Sequence, residues 1–480
     1  MAVESQEAKQ NPLPIPPRFA WLRRGAFAFF ILVLALGFLR FFWGVEANRR
    51  LLLMQSEASY DRHEPFFPKD FAQSSVPDAQ NAAVPIQEAI NQTDRMGRSD
   101  EPELDQWDSP APSESELAAI ETFIGKYRSG LKLVHAARDL PKTSWNAVPS
   151  FALKLPPLWA NRKLARILIL SAKLERARAH DALALEYVED ELTLTRVADT
   201  SYPSVVTHLV TVGMSDLGTH FIDTSAMNLV ISENPGPGAS AEQVRALIKT
   251  LLDDGPLVDG AVRDFQGERA IMIDAFPKFA SLMGPAEWLL EPMYKMDGVR
   301  TQMRTAEAEA CRQTNWAAAR AKFTPERHGI PSNLDEWAHR LSLATGPMYQ
   351  VIQQHFRMLT ERRIAAIMLA LRLYQVDHQG TLPESLLELV PRYLAAVPND
   401  PFDLKGAPIR YLPHRSPPLL YSVGLDGIDD HGSRTSTVHY GHANSPWDDE
   451  DAVFPIAATP RISPAQSQPS TKRSWRKDEE

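Results

Sequence analysis

LTERRIAAIMLALRLYQVDHQG, running from Leu359 to Gly380, decides the fold. Ile364, Ile367, Met368, Leu371 and Tyr374 recur three and four positions apart, the spacing that lines side chains along one helix face. A helix is therefore expected from about Leu359 to Val376, and Asp377-His378-Gln379-Gly380 terminates it. The chain before this helix reads as helical; the chain after it reads as short strands and turns.

Downstream, Leu382-Pro383-Glu384-Ser385-Leu386 starts a short second helix, with Leu386, Leu389 and Val390 apolar. Val397-Pro398-Asn399-Asp400-Pro401-Phe402-Asp403 reads as a tight turn, since Asp and Pro both favour turn geometry. Pro408 to Leu412 and Leu419 to Val423 read as two strands of a small antiparallel sheet. The second strand enters LLYSVGLDGIDDHG (Leu419 to Gly432), a glycine-rich turn carrying Asp426, Asp429 and Asp430. Like charges that close repel unless they are solvated or share a cation.

In this order the elements resemble the C-terminal part of the major type II secretion pseudopilin, the G-type subunit. The matching residues are Leu382-Pro383, Pro398-Asn399-Asp400-Pro401-Phe402, Tyr411 and Tyr421-Ser422-Val423-Gly424-Leu425-Asp426-Gly427. The resemblance implies a small α+β module over 357–458. It also implies a calcium ion held by Asp426, Asp429 and Asp430, with Asp449 or Asp451 from the following segment. Calcium takes six to eight oxygen ligands, some from backbone carbonyls. The D-x-D-x-D-G spacing of an EF-hand is absent, and a solvated acidic turn is the alternative. A pseudopilin begins with a prepilin-peptidase site, and no GFTLxE-like sequence occurs here. The layout as a whole resembles uncharacterised exported proteins common in planctomycete-type bacteria. Those combine an anchor, an NAA segment (here Asn81-Ala82-Ala83), a helical body and this ending. That resemblance implies architecture and no activity.

The body, 46–356, is expected to be an irregular helical bundle or solenoid, crossed by an acidic Pro/Ser-rich linker at about 99–116. Pro85 to Ile90 opens one segment and Leu117 to Val134 continues the pattern. Lys163 to Ala179 and Ala182 to Ala198 read as two antiparallel helices turning near His180-Asp181. They suggest a tetratricopeptide-type hairpin, but the marks and the period of that repeat are missing. Val205 to Phe221 is another helix, and Asn234 to Gly238 a break. Ala241 to Leu252 is cleanly amphipathic through Val244, Leu247, Ile248, Leu251 and Leu252, with Ser240 as N-cap and Gly255 as terminator.

At the other end, Gly25 to Val45 is apolar apart from Arg40. Its 21 residues suffice to cross a hydrocarbon core of about 30 Å. Arg40 can snorkel to the interface, where Trp21 and Trp43 also belong. Arg18, Arg23 and Arg24 precede the span and favour a cytosolic Pro-rich tail, 1–24; Arg49 and Arg50 oppose that bias. A cleaved signal peptide ending near Val45-Glu46-Ala47 is the alternative. Either way the bulk of the chain is exported, and the retained span predicts a single-pass protein of the bacterial inner membrane.

The formal net charge of −9 gives no basic footprint for nucleic acid. The single cysteine, Cys311, forms no intramolecular disulfide and reads as core. His439-x-x-His442 with His431 meets no zinc-site spacing. Gly267-Glu268-Arg269 and Asp274 read as ion pairs or interhelical contacts. There is no GxxxxGK[ST], HExxH or GxSxG, and no strand-linked GxGxxG. The tail 459–480 is polar and reads as disordered. The sequence thus points first to an interaction or scaffolding role in the envelope, with a secretion or envelope protein as partner. The rival is an exported hydrolase with its site between body and module.

Overall fold

The computed structural model describes residues 17–99, 112–145, 147–150, 157–233, 236–282, 284, 287–322, 348–435 and 445–457. Most of the Pro-rich tail, the centre of the acidic linker, His439, His442 and the C-terminal tail lie outside those residues.

Helix α1 (Pro17–Ser56) is followed by α2 (Ala83–Met96), α3 (Glu114–Gly125), α4 (Arg128–Ala137), α5 (Leu158–Ala177), α6 (Asp181–Asp199) and α7 (Val205–Ser225). Then come α8 (Ala241–Leu252), α9 (Gly255–Leu282), α10 (Glu287–Arg300), α11 (Gln302–Cys311), the short α12 (Trp316–Arg320) and α13 (Tyr349–Asp377). Strands β1 (Arg410–Leu412), β2 (Leu419–Ser422) and β3 (Ala452–Pro455) form one antiparallel sheet in that order, with Tyr411 opposite Leu420 and Leu420 opposite Phe454. The protein is mainly helical, with this small sheet near its C-terminus and one apolar N-terminal helix.

Local chemistry explains several helix starts. Ser113, Ser204, Ser240 and Asn315 each accept a hydrogen bond from an amide in the first turn of α3, α7, α8 and α12. The run expected over Leu117 to Val134 divides at Lys126-Tyr127 into α3 and α4, and the Tyr127 ring is buried there. Gly255 does not merely end α8; after two linking residues it opens α9. The short helix after Pro383 is a 3-10 turn, Leu386–Leu389, whose Glu388 carboxylate accepts from the Glu384 and Ser385 amides. In the NAA segment, Asn81 Oδ1 accepts from the Ala83 and Ser144 amides while its Nδ2 donates to the Ser144 carbonyl. One buried amide thereby starts α2 and ties it to the segment that follows α4.

The expected hairpin pair, α5 and α6, packs with α2, α3, α4 and α7 around one core that includes Ile86, Phe123, Leu164 and Leu168. A second core runs from α6–α9 along α13 into the module. In it Phe356, Ile364 and Met368 lie in the same cluster as Phe402, Leu420, Trp447 and Phe454. The helix at Leu359 to Val376 is thus the shared spine of body and module. It reaches back to Tyr349.

Helix α1 has 40 residues, and its apolar stretch is exposed along its length and apolar enough to cross a membrane. Arg40 is engaged by protein at the end of that stretch. Its Nε donates to the Trp288 carbonyl at 2.7 Å and its Nη2 pairs with Glu291 at 2.8 Å. Helix α10 therefore abuts α1 where the apolar stretch ends, and Gly44 leaves room for the Arg40 guanidinium, which a Cβ there would meet at 2.8 Å.

Candidate active-site cleft

Helix α7 and the spine α13 together present four ionisable residues to one cleft. Asp216, His220 and Asp223 lie at i, i+4 and i+7 on α7, a spacing that places them on one face. Glu361 projects from α13. The opposite wall is the module: Pro446, Trp447 and Asp449, with Phe454 of β3 and Arg434. The cavity they enclose holds about 1070 Å³ and opens to solvent.

Trp447 sets the position of Glu361. Its indole N–H donates to Glu361 Oε1 at 2.7 Å. The Arg357 guanidinium lies over the same indole, 5.2 Å from the ring centre, and Phe402 packs beside it at 5.1 Å. Burial pushes the Glu361 carboxyl up to about 8, the Asp216 charge adds to that, and the Trp447 N–H and Arg357 act against it. Asp223 is raised well above the usual carboxylate range by burial, then by the charges of Glu361 and Asp216. Asp216 stands at the exposed mouth; burial raises it, and His220 and Arg162 oppose the rise. Three carboxyl groups facing one cavity oppose one another's ionisation, which favours their protonated forms.

The carboxylates expected to hold calcium are placed differently. Asp429 is pinned by Arg410, whose Nε donates to it at 2.7 Å, and by the Tyr421 hydroxyl and the His431 amide. Those donors hold its carboxyl below the usual range against the burial that opposes them. Asp451 is fully buried and accepts from the Gly432, Ser433 and Asp430 amides. Asp426 closes a local turn by accepting from the Ile428 amide at 3.0 Å. Asp449 lies in the cleft wall, 3.9 Å from Arg434. Asp430 contributes its backbone amide to Asp451 and lines a smaller hollow of about 550 Å³. Among the described residues the single three-ligand group within 4.8 Å lies elsewhere, at Asp199, His208 and Asp264.

Glu268 and Asp274 do not reach the cleft. Asp274 accepts from the Ser150 hydroxyl and Lys278; Arg269 donates to the Pro65 carbonyl and pairs with Glu64 at 3.5 Å. The Asp274–Lys278 pair lies along one helix face, and the other contacts tie α9 to the irregular segments at Glu64-Pro65 and Ser150. Sequence reasoning passed over Asp216, His220, Asp223 and Glu361. The signal was present as three ionisable residues at helical spacing, but their pairing with Glu361 needs the crossing of α7 and α13.

No protein-family model, no curated protein and no solved structure matches this chain.

Proposed function

We propose that this is a single-pass membrane protein whose cleft between bundle and module performs acid–base hydrolysis. Glu361 is the general acid and Asp216 the base. One observation carries the reading: the Glu361 carboxyl, held by the Trp447 N–H at 2.7 Å and pushed up to about 8 by burial, lines an open, carboxylate-rich cavity. A protonated carboxyl paired with a more exposed one is the arrangement that lets one group protonate a leaving atom while the other activates water. The inner membrane, with the body on the exported side, belongs to the same proposal. It rests on the apolar helix and on Arg18, Arg23 and Arg24 before it, and a reporter fused after residue 480 reads the topology.

The test uses the full chain in detergent micelles against chromogenic aryl glycosides, esters and phosphates from pH 5 to 9. At least one class is expected to turn over, with the rate falling as pH rises through the Glu361 value of about 8. Glu361→Gln is expected to remove about a hundredfold or more of it. No turnover above the Glu361→Gln level in any class defeats the catalytic reading and leaves the interaction or scaffolding role. Stability supplies a second readout. A carboxyl raised from 4.5 to about 8 contributes most below pH 4.5, and that contribution is lost as pH climbs through about 8. Melting temperature should therefore decline between pH 5 and 8, and less steeply in Glu361→Gln.

Calcium at the module loop is a separate proposal. An ion held by Asp426, Asp429 and Asp430 would have to draw Asp429 away from Arg410. A calcium-dependent rise in melting temperature, lost in Asp426→Ala, establishes the site; no rise leaves Arg410 as the cation of this loop.

A further inference from the structure

The corner between α6 and α7 holds a second polar cluster, sealed from the cleft and from solvent. Asp199 ends α6, His208 lies in the opening turns of α7, Asp264 projects from the middle of α9 and His355 from the start of α13. All four are at most 2% exposed. Donor atoms of Asp199, His208 and Asp264 lie within 4.8 Å of one another, and the His355 ring centre is 5.2 Å from that of His208. Among the described residues, neither ring nitrogen of His208 or His355 has a hydrogen-bond partner and neither oxygen of Asp199 has one, while the Ser204 amide lies near the Asp264 carboxylate. His208 Nδ1 and Asp199 Oδ1 approach to 3.6 Å without bonding.

Buried imidazoles and carboxylates without partners are expensive, and native interiors satisfy such groups. The backbone has made room for this one. A Cβ on Gly260 would stand 1.8 Å from Asp199 Oδ2, so only glycine admits the carboxylate against α9. The nearby Arg263 guanidinium donates through Nη1 to the Thr200 carbonyl at 3.0 Å, and its buried Nη2 has no hydrogen-bond partner among the described residues, so its charge acts on Asp199 and Asp264 without bonding either.

We propose that Asp199, His208, Asp264 and His355 form a closed binding site for one divalent first-row transition ion. Two neutral imidazoles and two carboxylates are the N/O donor set that such ions favour over calcium or magnesium, and two negative charges balance the ion. Four helices supply one ligand each, so the ion cross-links the spine α13 to the α6–α7 corner and to α9. Donors around a common ion lie about 3.4 Å apart, so Asp199, His208 and Asp264 must contract by about an ångström on binding, and His355, which lies outside their 4.8 Å group, must swing in further. The site is independent of the cleft chemistry.

The test is metal analysis of the purified full chain, followed by stripping with chelator and reloading with Zn²⁺, Mn²⁺, Fe²⁺ or Co²⁺. About one transition ion per chain is expected, with a higher melting temperature on reloading. Asp264→Asn and His355→Gln should weaken binding at least tenfold, whereas Asp426→Asn, in the module loop, should retain the ion. The cobalt spectrum of the wild-type chain needs no variant to fold. Intense low-coordinate bands support the site, and pale bands like those of aqueous cobalt overturn it. Absence of a bound ion with no thermal shift on reloading, or unchanged binding in both ligand variants, also overturns it.

Discussion

Gly267→Ala is expected to destabilise the protein by about 3 kcal/mol, against the usual sign of that substitution. In an exposed helix interior alanine is favoured over glycine by about 1 kcal/mol, because glycine loses more backbone freedom on folding. Here a Cβ would meet the Pro203 carbonyl oxygen at 2.0 Å and the Pro203 Cβ at 2.6 Å. Neither atom belongs to a flexible side chain, so no rotamer relieves the clash and α9 must lift from the α6–α7 corner. Gly260, Asp264 and Gly267 share one face of α9 by their spacing, so the lift would open the same seam along its length. The neighbouring Glu268 carboxylate accepts from the Val205 amide, and Arg269 donates to the Pro65 carbonyl. Both contacts would be lengthened. Gly213→Ala provides the control of opposite sign. That glycine lies within α7 with no neighbouring atom inside 4 Å of a built Cβ, so alanine there should stabilise by up to about 1 kcal/mol. Denaturant midpoints of the two variants decide the matter. Gly267→Ala as stable as wild type would mean that α9 does not rest on Pro203.

The fold was legible wherever one local pattern dominates. Helix α13 followed from Ile364, Ile367, Met368, Leu371 and Tyr374, all buried or nearly so, and α8 from Val244, Leu247, Ile248 and Leu251 with its Ser240 cap. Strands β1 and β2 fell within the expected runs Pro408 to Leu412 and Leu419 to Val423, each slightly shorter. The third strand was missed, since Ala452–Pro455 is short and joins the sheet only by pairing with β2. The candidate cleft was harder to see for a reason of distance. Asp216 and Glu361 are far apart in sequence, and no spacing rule connects residues on two helices whose crossing is set by a shared core. The buried cluster is more extreme, with ligands from four helices. Its one sequence trace is the pairing of Gly260 and Asp264 on a helix face, which reads as an ordinary polar turn until the helix is known to be buried.

The Asp-Pro turn of the module was legible as a turn and not as the knot it proves to be. Asp400→Ala is expected to cost about 3–5 kcal/mol, the largest single loss anticipated outside the helical body. The Asp400 side chain is fully buried. Its Oδ1 accepts from the Phe402 amide at 2.9 Å and the Ser422 hydroxyl at 2.7 Å, its Oδ2 from the Val423 amide at 2.9 Å, and Arg410 approaches to 3.5 Å. Alanine would strand those donors in the interior together, and a buried donor without a partner costs more than the bond it loses. Asparagine tests the chemistry at nearly constant volume. Its amide nitrogen would oppose either the Val423 N–H or the Phe402 N–H, donor against donor, so it too should destabilise, though less than alanine. The damage should spread to the cleft. Asp400 holds Phe402, Phe402 packs on Trp447, and Trp447 donates to Glu361. Loosening Trp447 admits water beside Glu361 and should lower its pKa from about 8 toward the ordinary range, since burial is the main cause of the rise. Hydrogen exchange over residues 400–423, with a pH titration of the Glu361 carboxyl by infrared difference spectroscopy, reads both effects. Wild-type exchange protection in Asp400→Ala would show that this carboxylate is not what fastens the sheet to the spine.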